Sequence, residues 1–403
     1  MFPKDFLWGA ATSSHQVEGK NIHNDWWQWE IDGRIQEKSD QAICHYELFD
    51  EDFTLAQKLS HNAHRFSIEW SRIEPQEGIF DETAIDHYRL VVDALIAKSL
   101  IPVVTLHHFT NPLWLADKGG WLNTHASECF LRYVKKIVAA LKEKVRYWIT
   151  INEPVVLAYY GYLIAKWPPG KRSFRLTMKA LQNFIAVHKR AYQAIHELYD
   201  DVSKPMVGIA HNLRPFEVCP RQSNIFCKIN VLWRHYMFNV YFLKRINNAL
   251  DFIGGNYYER EFVSNDPRHD LGFFGDNCNL VHHHAEHVNQ MGWGFYPEGL
   301  LQVLRWIKKY NKPIIITENG TAEIDDRYRS QFIVEHLKGV EKAISEGIPV
   351  VGYLYWSLLD NFEWDRGFEP RFGLIEVDYK TFKRDIRPSA YVFKEIIESG
   401  KIP

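Results

Sequence analysis

The feature that most constrains the fold of this chain is an alternation of eight short apolar runs with amphipathic helical patterns over 403 residues. Each run is rich in β-branched or aromatic residues and lacks the alternation of a half-exposed strand, which is typical of buried parallel strands. The runs occupy residues 6–11, 64–70, 102–107, 146–152, 205–211, 251–257, 313–318 and 350–357. Eight such strands separated by helices predict an α/β fold, a single closed (β/α)₈ TIM barrel.

An open, doubly wound sheet is the competing architecture. It favours a Gly-rich phosphate-binding turn after the first strand, but residues 12–19 read TSSHQVEG. The sequence has no low-complexity tract, linker or internal repeat, so we expect one catalytic domain over residues 1–403. Three predicted helical stripes support the alternation: Ile85, Tyr88, Val92, Leu95 and Ile96; Phe130, Val134, Ile137 and Leu141; and Leu300, Leu304 and Ile307.

The charge balance excludes two classes of partner. With 48 Lys+Arg against 50 Asp+Glu and a formal net charge of −2, the chain lacks the polycationic character of a nucleic-acid-binding protein. No apolar run approaches 18 residues, so we expect no membrane partner.

The cysteines and the N-terminus indicate where the protein works. Five cysteines without a C-x-x-C pair read as buried or loop thiols in a reducing compartment. The first residues, MFPKDFLWGAATSS, lack an uninterrupted apolar stretch after Lys4, so we expect no signal peptide and a cytoplasmic location. The cysteines are Cys44, Cys129, Cys219, Cys227 and Cys278.

Two carboxylates stand at the ends of predicted strands. In right-handed βα units the carboxyl ends of all strands meet at one face, where barrel enzymes work. Glu153 follows the fourth run and Glu318 ends the seventh, so the two lie across the barrel mouth from each other. Paired carboxylates around an acetal suit glycoside hydrolysis, because one protonates the leaving oxygen and the other meets the oxocarbenium-like carbon. Aromatic residues, 15% of the chain, supply flat faces for a sugar ring.

Long motifs in a fixed order then identify a family. They are FLWGAATSSHQVEG (6–19), HRFSIEWSRI (64–73), HHFTNPLWL (107–115), WITINEP (148–154), FIGGNYY (252–258), GWGFYPEGL (292–300), ITENG (316–320), WSLLDNFEW (356–364) and RFGLIEVDY (371–379). With these motifs the chain resembles the glycoside hydrolase family 1 β-glycosidases, which are β-glucosidase-like enzymes. The resemblance runs from Phe6 to about Arg387, and the (β/α)₈ fold that it implies agrees with the independent strand count.

The resemblance implies a role for each matching residue. Glu153 is expected to be the acid/base and Glu318 the nucleophile, with Arg65, Asn152 and Tyr258 supporting them. The expected reaction is hydrolysis of terminal non-reducing β-D-glucosyl residues by double displacement through a covalent glycosyl-enzyme intermediate. Galactosyl and fucosyl residues are further candidate substrates. The residues expected to bind the sugar are Gln16, His108, Phe109, Asn256, Trp293, Trp356, Glu363, Trp364 and Phe372.

The chemistry of a retaining enzyme sets further expectations. Its two carboxyl groups should lie roughly 5–5.5 Å apart. We expect small-molecule β-glycosides or short oligosaccharides as substrates, and neither a metal nor an organic cofactor. The H-x-x-E-H spacing at residues 283–287 is found in some zinc peptidases, but it follows a Gly/Asp/Asn-rich segment unsuited to a helix, so we expect no metal site there.

Three alternatives share much of this pattern. A 6-phospho-β-glycosidase would keep both glutamates, but it would be expected to replace Glu363 and to add basic phosphate ligands nearby; an ionised Glu363 would repel phosphate. A non-catalytic sugar-binding relative would be expected to have lost a glutamate, and a thioglucosidase to carry glutamine in place of Glu153. The preferred glycone among glucose, galactose, fucose and mannose, the aglycone and the oligomeric state stay open.

The chain also departs from the family pattern. Phe109 stands where tryptophan is common, and Gly294 stands where many members have glutamate. The segments 214–250 and 259–287 look shortened, and because such loops help to form the aglycone entrance, we expect a more open cleft.

Overall fold

The computed structural model of the protein describes residues 2–199, 204–220, 224–264, 276–277, 285 and 287–403. Eight parallel strands form a closed barrel in the order β1-β8-β7-β6-β5-β4-β3-β2. The strands are β1 (Leu7–Ala11), β2 (Ala63–Ser67), β3 (Ile101–Thr105), β4 (Tyr147–Asn152), β5 (Met206–Asn212), β6 (Phe252–Asn256), β7 (Ile314–Asn319) and β8 (Val350–Trp356). The predicted (β/α)₈ barrel is therefore confirmed, and each strand overlaps one of the eight apolar runs.

The helices lie between these strands and after the last. They are α1 (Ser14–Val17), α2 (Asp25–Ile31), α3 (His45–Lys58), α4 (Trp70–Ile73), α5 (Glu82–Ala97), α6 (Leu113–Asp117), α7 (Ala126–Leu141), α8 (Pro154–Ala158), α9 (Phe174–Leu198), α10 (Ile225–His235), α11 (Tyr241–Ile246), α12 (Glu298–Ile307), α13 (Asp326–Ser345) and α14 (Pro388–Ser399). Shorter 3₁₀ or π turns occupy Gly120–Leu122, Tyr159–Leu163, Tyr236–Val240, Asn247–Ala249, Lys308–Tyr310 and Trp364–Arg366.

The apolar stripes predicted from the 3.6-residue period are buried against the barrel, with one exception. The stripe residues of α7 and α12 are all buried against the barrel. Ile96 of α5, however, is 47% exposed, whereas Leu95 is buried, so the assignment of Ile96 to the core is wrong. Ile96 lies one residue, about 100° around the helix, beyond the buried stripe.

One residue from each of the eight strands fills the barrel interior. Their side chains are buried and pack on one another, which makes the barrel a solid core rather than a pore. This layer consists of Leu7, Ala63, Val103, Ile149, Ala210, Phe252, Ile315 and Leu354. It closes the barrel below the carboxyl ends of the strands, so a substrate can approach only from that end.

Two small sheets lie outside the barrel. Ile375–Val377 pairs with Arg384–Ile386, and Phe216–Val218, Glu261–Ser264 and Asp276–Asn277 form a three-stranded sheet. Cys219, next to the second sheet, is disulfide-bonded, whereas the other described cysteines are free thiols. The expectation of five thiols is wrong, and the cysteine content no longer argues for a reducing compartment. Among the described residues, no helix has the length and apolar character needed to cross a bilayer.

Candidate active site

The backbone after β4 turns sharply to place Glu153 over the barrel mouth. Glu153 has φ 44° and ψ 56°, a left-handed conformation, and Pro154 begins α8 directly after it, at a position where proline suits a helix. Glu318 lies on β7 and pairs in register with Asn256 of β6. Both glutamates are buried and line the same cavity, as the strand-end argument predicted.

Arg65 and Tyr258 hold the carboxyl group of Glu318 from two sides. Nη1 of Arg65 lies 2.5 Å from Oε1, and the Tyr258 hydroxyl donates a hydrogen bond to Oε2 at 2.6 Å. Burial, followed by the charge of Glu318, raises the pKa of Tyr258 well above its ordinary value, so the phenol stays protonated as a donor. A cation and a donor on opposite oxygens favour the ionised carboxylate and restrict its orientation.

The same arginine connects the two halves of the site. Nη2 of Arg65 donates to Oδ1 of Asn152 at 2.8 Å, and its Nε donates to Thr105 at 3.0 Å. The amide of Asn152 donates in turn to Nε2 of His108 at 3.1 Å. Burial and the nearby charge of Arg65 lower the pKa of His108 well below its ordinary value. His108 is therefore a neutral imidazole that accepts from Asn152.

Two amides orient Glu153. Asn212 at the end of β5 and Asn256 at the end of β6 each donate to Oε1 at 2.9 Å. Burial, and then the charge of Glu318, raise the pKa of Glu153 to about 7, and the two amide bonds oppose that rise. Because Oε1 accepts both bonds, a proton on this carboxyl belongs on Oε2. Glu153 can thus hold a proton near neutral pH, as an acid catalyst must.

A third carboxyl group lies in the same cavity. Glu363 accepts a hydrogen bond from Nε1 of Trp356 at 3.2 Å. Burial raises the pKa of Glu363 well above its ordinary value, and the charge of Glu318 adds to this effect. The carboxyl group of Glu363 therefore holds its proton to higher pH than an exposed glutamate does. Gln16 lies nearby, fixed by bonds to Asn361 and to the backbone oxygen of Phe362.

Aromatic rings line the remaining walls. Trp356 and His108 are stacked, with ring centroids 5.9 Å apart. Trp364 packs on Phe109 at 5.2 Å, and on the opposite side Trp293 packs on Tyr258 at 5.1 Å. Phe372 is the remaining predicted aromatic residue and lies 6.0 Å from Trp293. The cavity thus combines flat apolar faces with hydrogen-bonding groups, as a sugar pocket requires.

The structure brings all the predicted site residues together. Twelve of them line one cavity of about 150 Å³, and Arg65 and Asn256 support it through the bonds described above. The twelve are Gln16, His108, Phe109, Asn152, Glu153, Tyr258, Trp293, Glu318, Trp356, Glu363, Trp364 and Phe372. A larger cavity of about 590 Å³ lies behind Tyr258 and Trp293, but neither Glu153 nor Glu318 lines it.

Sequence reasoning missed several wall residues. Asn212 is the last residue of β5, so the strand-end position that points to Glu318 also points to Asn212. Trp167 stacks on Tyr160 at 4.6 Å and donates to Asp365 at 2.9 Å; it lies in a connection after α8, where no pattern points to it. Arg214 also lines the pocket and donates to Asn212 at 3.1 Å.

The H-x-x-E-H spacing at residues 283–287, where we expect no metal site, lies mostly outside the described residues. Within residues 283–287 only Ala285 and His287 are described, and His287 contacts Glu323 at 2.7 Å. In the described part of the chain, no three His, Cys, Asp or Glu side chains form a group suited to a metal ion.

Comparison with known proteins identifies the family. The model of glycosyl hydrolase family 1 matches residues 1–243 and 234–402. The chain belongs to this family. It is an O-glycosyl hydrolase of the family 1 β-glycosidase type.

Relatives within family 1 differ in the sugar that their names record. The chain is 32% identical to "Beta-glucosidase A" of Thermotoga maritima, over 99% of this chain and 98% of that protein. It is 31% identical to a "Beta-galactosidase" of Sulfolobus acidocaldarius, with 100% and 96% covered. It is 30% identical to a "6-phospho-beta-galactosidase" of Clostridium acetobutylicum, with 100% and 98% covered.

Solved family 1 structures share the whole fold. A β-glycosidase from Pyrococcus horikoshii superposes with a TM-score of 0.92 at 41% identity, covering 100% of this chain and 96% of that chain. A β-glucosidase from Thermotoga maritima in complex with glucoimidazole gives 0.90 at 31% identity, with 98% of each chain covered. That complex shows that a chain of this fold binds a small sugar-like ligand.

Proposed function

We propose that the protein is a retaining exo-β-glycosidase that removes terminal β-D-glucosyl residues, with Glu318 as nucleophile and Glu153 as acid/base, from one catalytic domain spanning the chain. The observation that carries this proposal is the different environment of the two glutamates. Arg65 and Tyr258 favour a charged Glu318, whereas burial raises the pKa of Glu153 to about 7. Two carboxyls with divergent environments suit separate nucleophile and acid roles.

In the first step, Glu318 attacks the anomeric carbon while Glu153 delivers its proton from Oε2 to the departing oxygen. The bond between the anomeric carbon and the aglycone oxygen breaks, and an α-glycosyl ester forms on Glu318. The Tyr258 hydroxyl and the Arg65 guanidinium keep the attacking carboxylate in one orientation. Such positioning reduces the entropy that must be lost on reaching the transition state.

In the second step, the charge balance reverses. Once Glu318 is an ester, its negative charge no longer raises the pKa of Glu153, while the amide bonds from Asn212 and Asn256 continue to favour the carboxylate. Glu153 therefore becomes a stronger acid and remains deprotonated. It takes a proton from water, which attacks the anomeric carbon and releases the sugar with its original β configuration.

The other pocket groups support a neutral glycone. Gln16, His108 and Glu363 offer an amide, an imidazole and a carboxyl group for ring hydroxyls, and Trp356 offers an apolar face. Glucose is the proposed glycone because the β-glucosidases are among the most similar relatives. Because other relatives are named β-galactosidases, the proposal also includes galactose, which presents a second hydroxyl configuration to the same groups.

A relative named as a 6-phospho-β-galactosidase supports one alternative, a 6-phospho-β-glycosidase. Its phosphate would bring negative charge towards Glu363, which already lies close enough to Glu318 for its pKa to rise. A phosphate beside an ionised Glu363 would be repelled by several kcal/mol at an effective dielectric constant of about 20, and the transfer of a further negative charge into a buried site is costly in itself. We therefore propose that neutral glycosides are the substrates.

A panel of 4-nitrophenyl β-glycosides tests the proposal. We expect hydrolysis of the glucoside, weaker or comparable hydrolysis of the galactoside and fucoside, and no hydrolysis of the 6-phosphoglucoside. Proton NMR during the first turnovers should show the β anomer before mutarotation. Efficient cleavage of the 6-phosphate would overturn the substrate proposal, and an α anomer as first product would overturn the retaining mechanism.

A further inference from the structure

Helix α10 buries polar side chains and exposes apolar ones, the reverse of an ordinary surface helix. Its buried positions are Cys227, Asn230 and Arg234, whereas the residues at its outer surface are large and apolar. The exposed fractions are 63% for Ile225, 63% for Phe226, 47% for Ile229 and 70% for Leu232, and Tyr236, just after the helix, is 41% exposed. We call these five residues the α10 patch.

The reversed orientation is fixed from inside the protein. The guanidinium of Arg234 pairs with the carboxylate of Glu261, and both side chains are buried. Breaking a buried ion pair costs several kcal/mol, so α10 cannot rotate to hide its apolar side. The spacing of Ile225, Ile229, Leu232 and Tyr236 keeps them on one side of the helix. A contiguous exposed apolar surface of this kind marks an interaction site.

Among the described residues, the acids on the two strands that contact α10 are paired with arginines: Glu217 with Arg260, and Glu261 with Arg214 and Arg234. Residues 154–196 and 218–250, which contain α10 and all of α9 except its last two residues, Glu197 and Leu198, include no Asp or Glu. Phe174, 41% exposed, begins α9, and its ring lies 6.1 Å from that of Trp233 on α10. Arg175 follows Phe174 and is exposed, and Lys228 is exposed on α10 itself.

We propose that the α10 patch docks the enzyme on the surface of an anionic phospholipid bilayer. Apolar side chains that enter the headgroup region, beside cations that meet anionic headgroups, are the two components of interfacial binding. This mode needs no membrane-spanning segment, so it is compatible with the absence of a long apolar run in the sequence. It does modify the expectation that the protein has no membrane partner.

A second copy of the chain fits the same surface less well. In a twofold dimer each patch meets itself, so Arg175 and Lys228 would approach their own copies, while Glu217 and Glu261 beside α10 are already paired with arginines. Charge complementarity therefore favours an anionic surface over self-association.

Vesicle co-sedimentation of the full chain tests the proposal. With phosphatidylglycerol vesicles we expect binding that weakens as salt is raised from 0.05 to 0.5 M, since headgroup attraction is screened. Binding to phosphatidylcholine vesicles should be at least tenfold weaker. The variant Phe226→Ser/Leu232→Ser should lose at least tenfold in affinity for phosphatidylglycerol, and Lys228→Glu should reduce it as well.

Controls separate docking from folding and from other occupants. Leu90→Ser, at a leucine of α5 that is 59% exposed, should bind vesicles like the native chain, and kcat/KM on a soluble aryl glycoside should be unchanged in Phe226→Ser/Leu232→Ser. Failure of the native chain to bind phosphatidylglycerol, or unchanged binding by the double variant, would overturn the proposal. So would sedimentation velocity showing a native dimer that the double variant dissociates.

Discussion

Arg65 and Glu318 form a buried ion pair across the barrel, between the second and seventh strands, with 2.5 Å between Nη1 and Oε1. The same guanidinium reaches Asn152, the residue before Glu153. One cation thus contacts Glu318 directly and also holds the residue that precedes Glu153.

The first prediction concerns Glu153. In Glu153→Ala, substrates with good leaving groups should still form the glycosyl enzyme, but hydrolysis should stall because no base activates water. Added azide should restore turnover and yield a β-glycosyl azide, identified by NMR. An α-glycosyl azide would show that Glu153 is not the acid/base.

The pH dependence is the second prediction. Because Glu153 must be protonated to act as acid and its pKa is raised to about 7, kcat/KM should fall as pH rises above about 7. Asn212 favours the ionised form, so Asn212→Ala should raise this pKa and move the falling limb to higher pH. Asn183→Ala, at a partly buried amide that donates to the backbone of Trp121, serves as the control. A falling limb that stays in place would contradict the role of Asn212.

The third prediction compares neighbouring tyrosines. Tyr258→Phe removes the donor to Glu318 and should lower kcat by roughly 10- to 150-fold, since hydrogen bonds to charged groups are worth about 1.5–3 kcal/mol. Tyr257 is also buried, but it donates to the backbone oxygen of Tyr296. Tyr257→Phe should therefore lower Tm slightly and leave kcat nearly unchanged. Equal losses of kcat in both variants would indicate a general packing defect.

Glu363 is the subject of the fourth prediction. Glu363→Ser should lower kcat/KM on an aryl β-glucoside by at least tenfold, because the hydrogen bond between the carboxyl group and a sugar hydroxyl is lost. The loss should be smaller on the 6-deoxy glycoside, which lacks O6. Glu323 is a buried carboxylate outside this cavity, bonded to Thr321 and His287; Glu323→Ser should leave the ratio of the two substrates unchanged. An identical loss on both sugars would refute contact with O6.

Strand ends could be located from sequence because each lies where an apolar run stops. This is why Glu153 and Glu318 were correctly predicted to share one face. The partner of each group was harder to predict. Asn212 lies in register with Asn256 on the neighbouring strand, and only that pairing shows that both amides reach Glu153.

Features that depend on non-local contacts could not be predicted. Trp167 lies on a connecting segment and lines the pocket. It is held there by a hydrogen bond to Asp365, which is 198 residues away in the sequence. The apolar stripe of α10 is visible in the sequence, but periodicity does not tell which side faces inward; the buried pair of Arg234 and Glu261 decides it. The raised pKa of Glu363 likewise follows from burial, which sequence reasoning did not foresee.

The central claim is that Glu318 becomes covalently bonded to the sugar. Incubation with 2,4-dinitrophenyl 2-deoxy-2-fluoro-β-D-glucoside should trap this ester. The fluorine slows both formation and hydrolysis of the ester, but the good leaving group keeps formation fast, so the ester accumulates. Intact-mass spectrometry should show one added fluoroglucosyl group, and peptide mapping should place it on Glu318. A label on Glu153 or another residue, or inactivation without any added mass, would contradict the account.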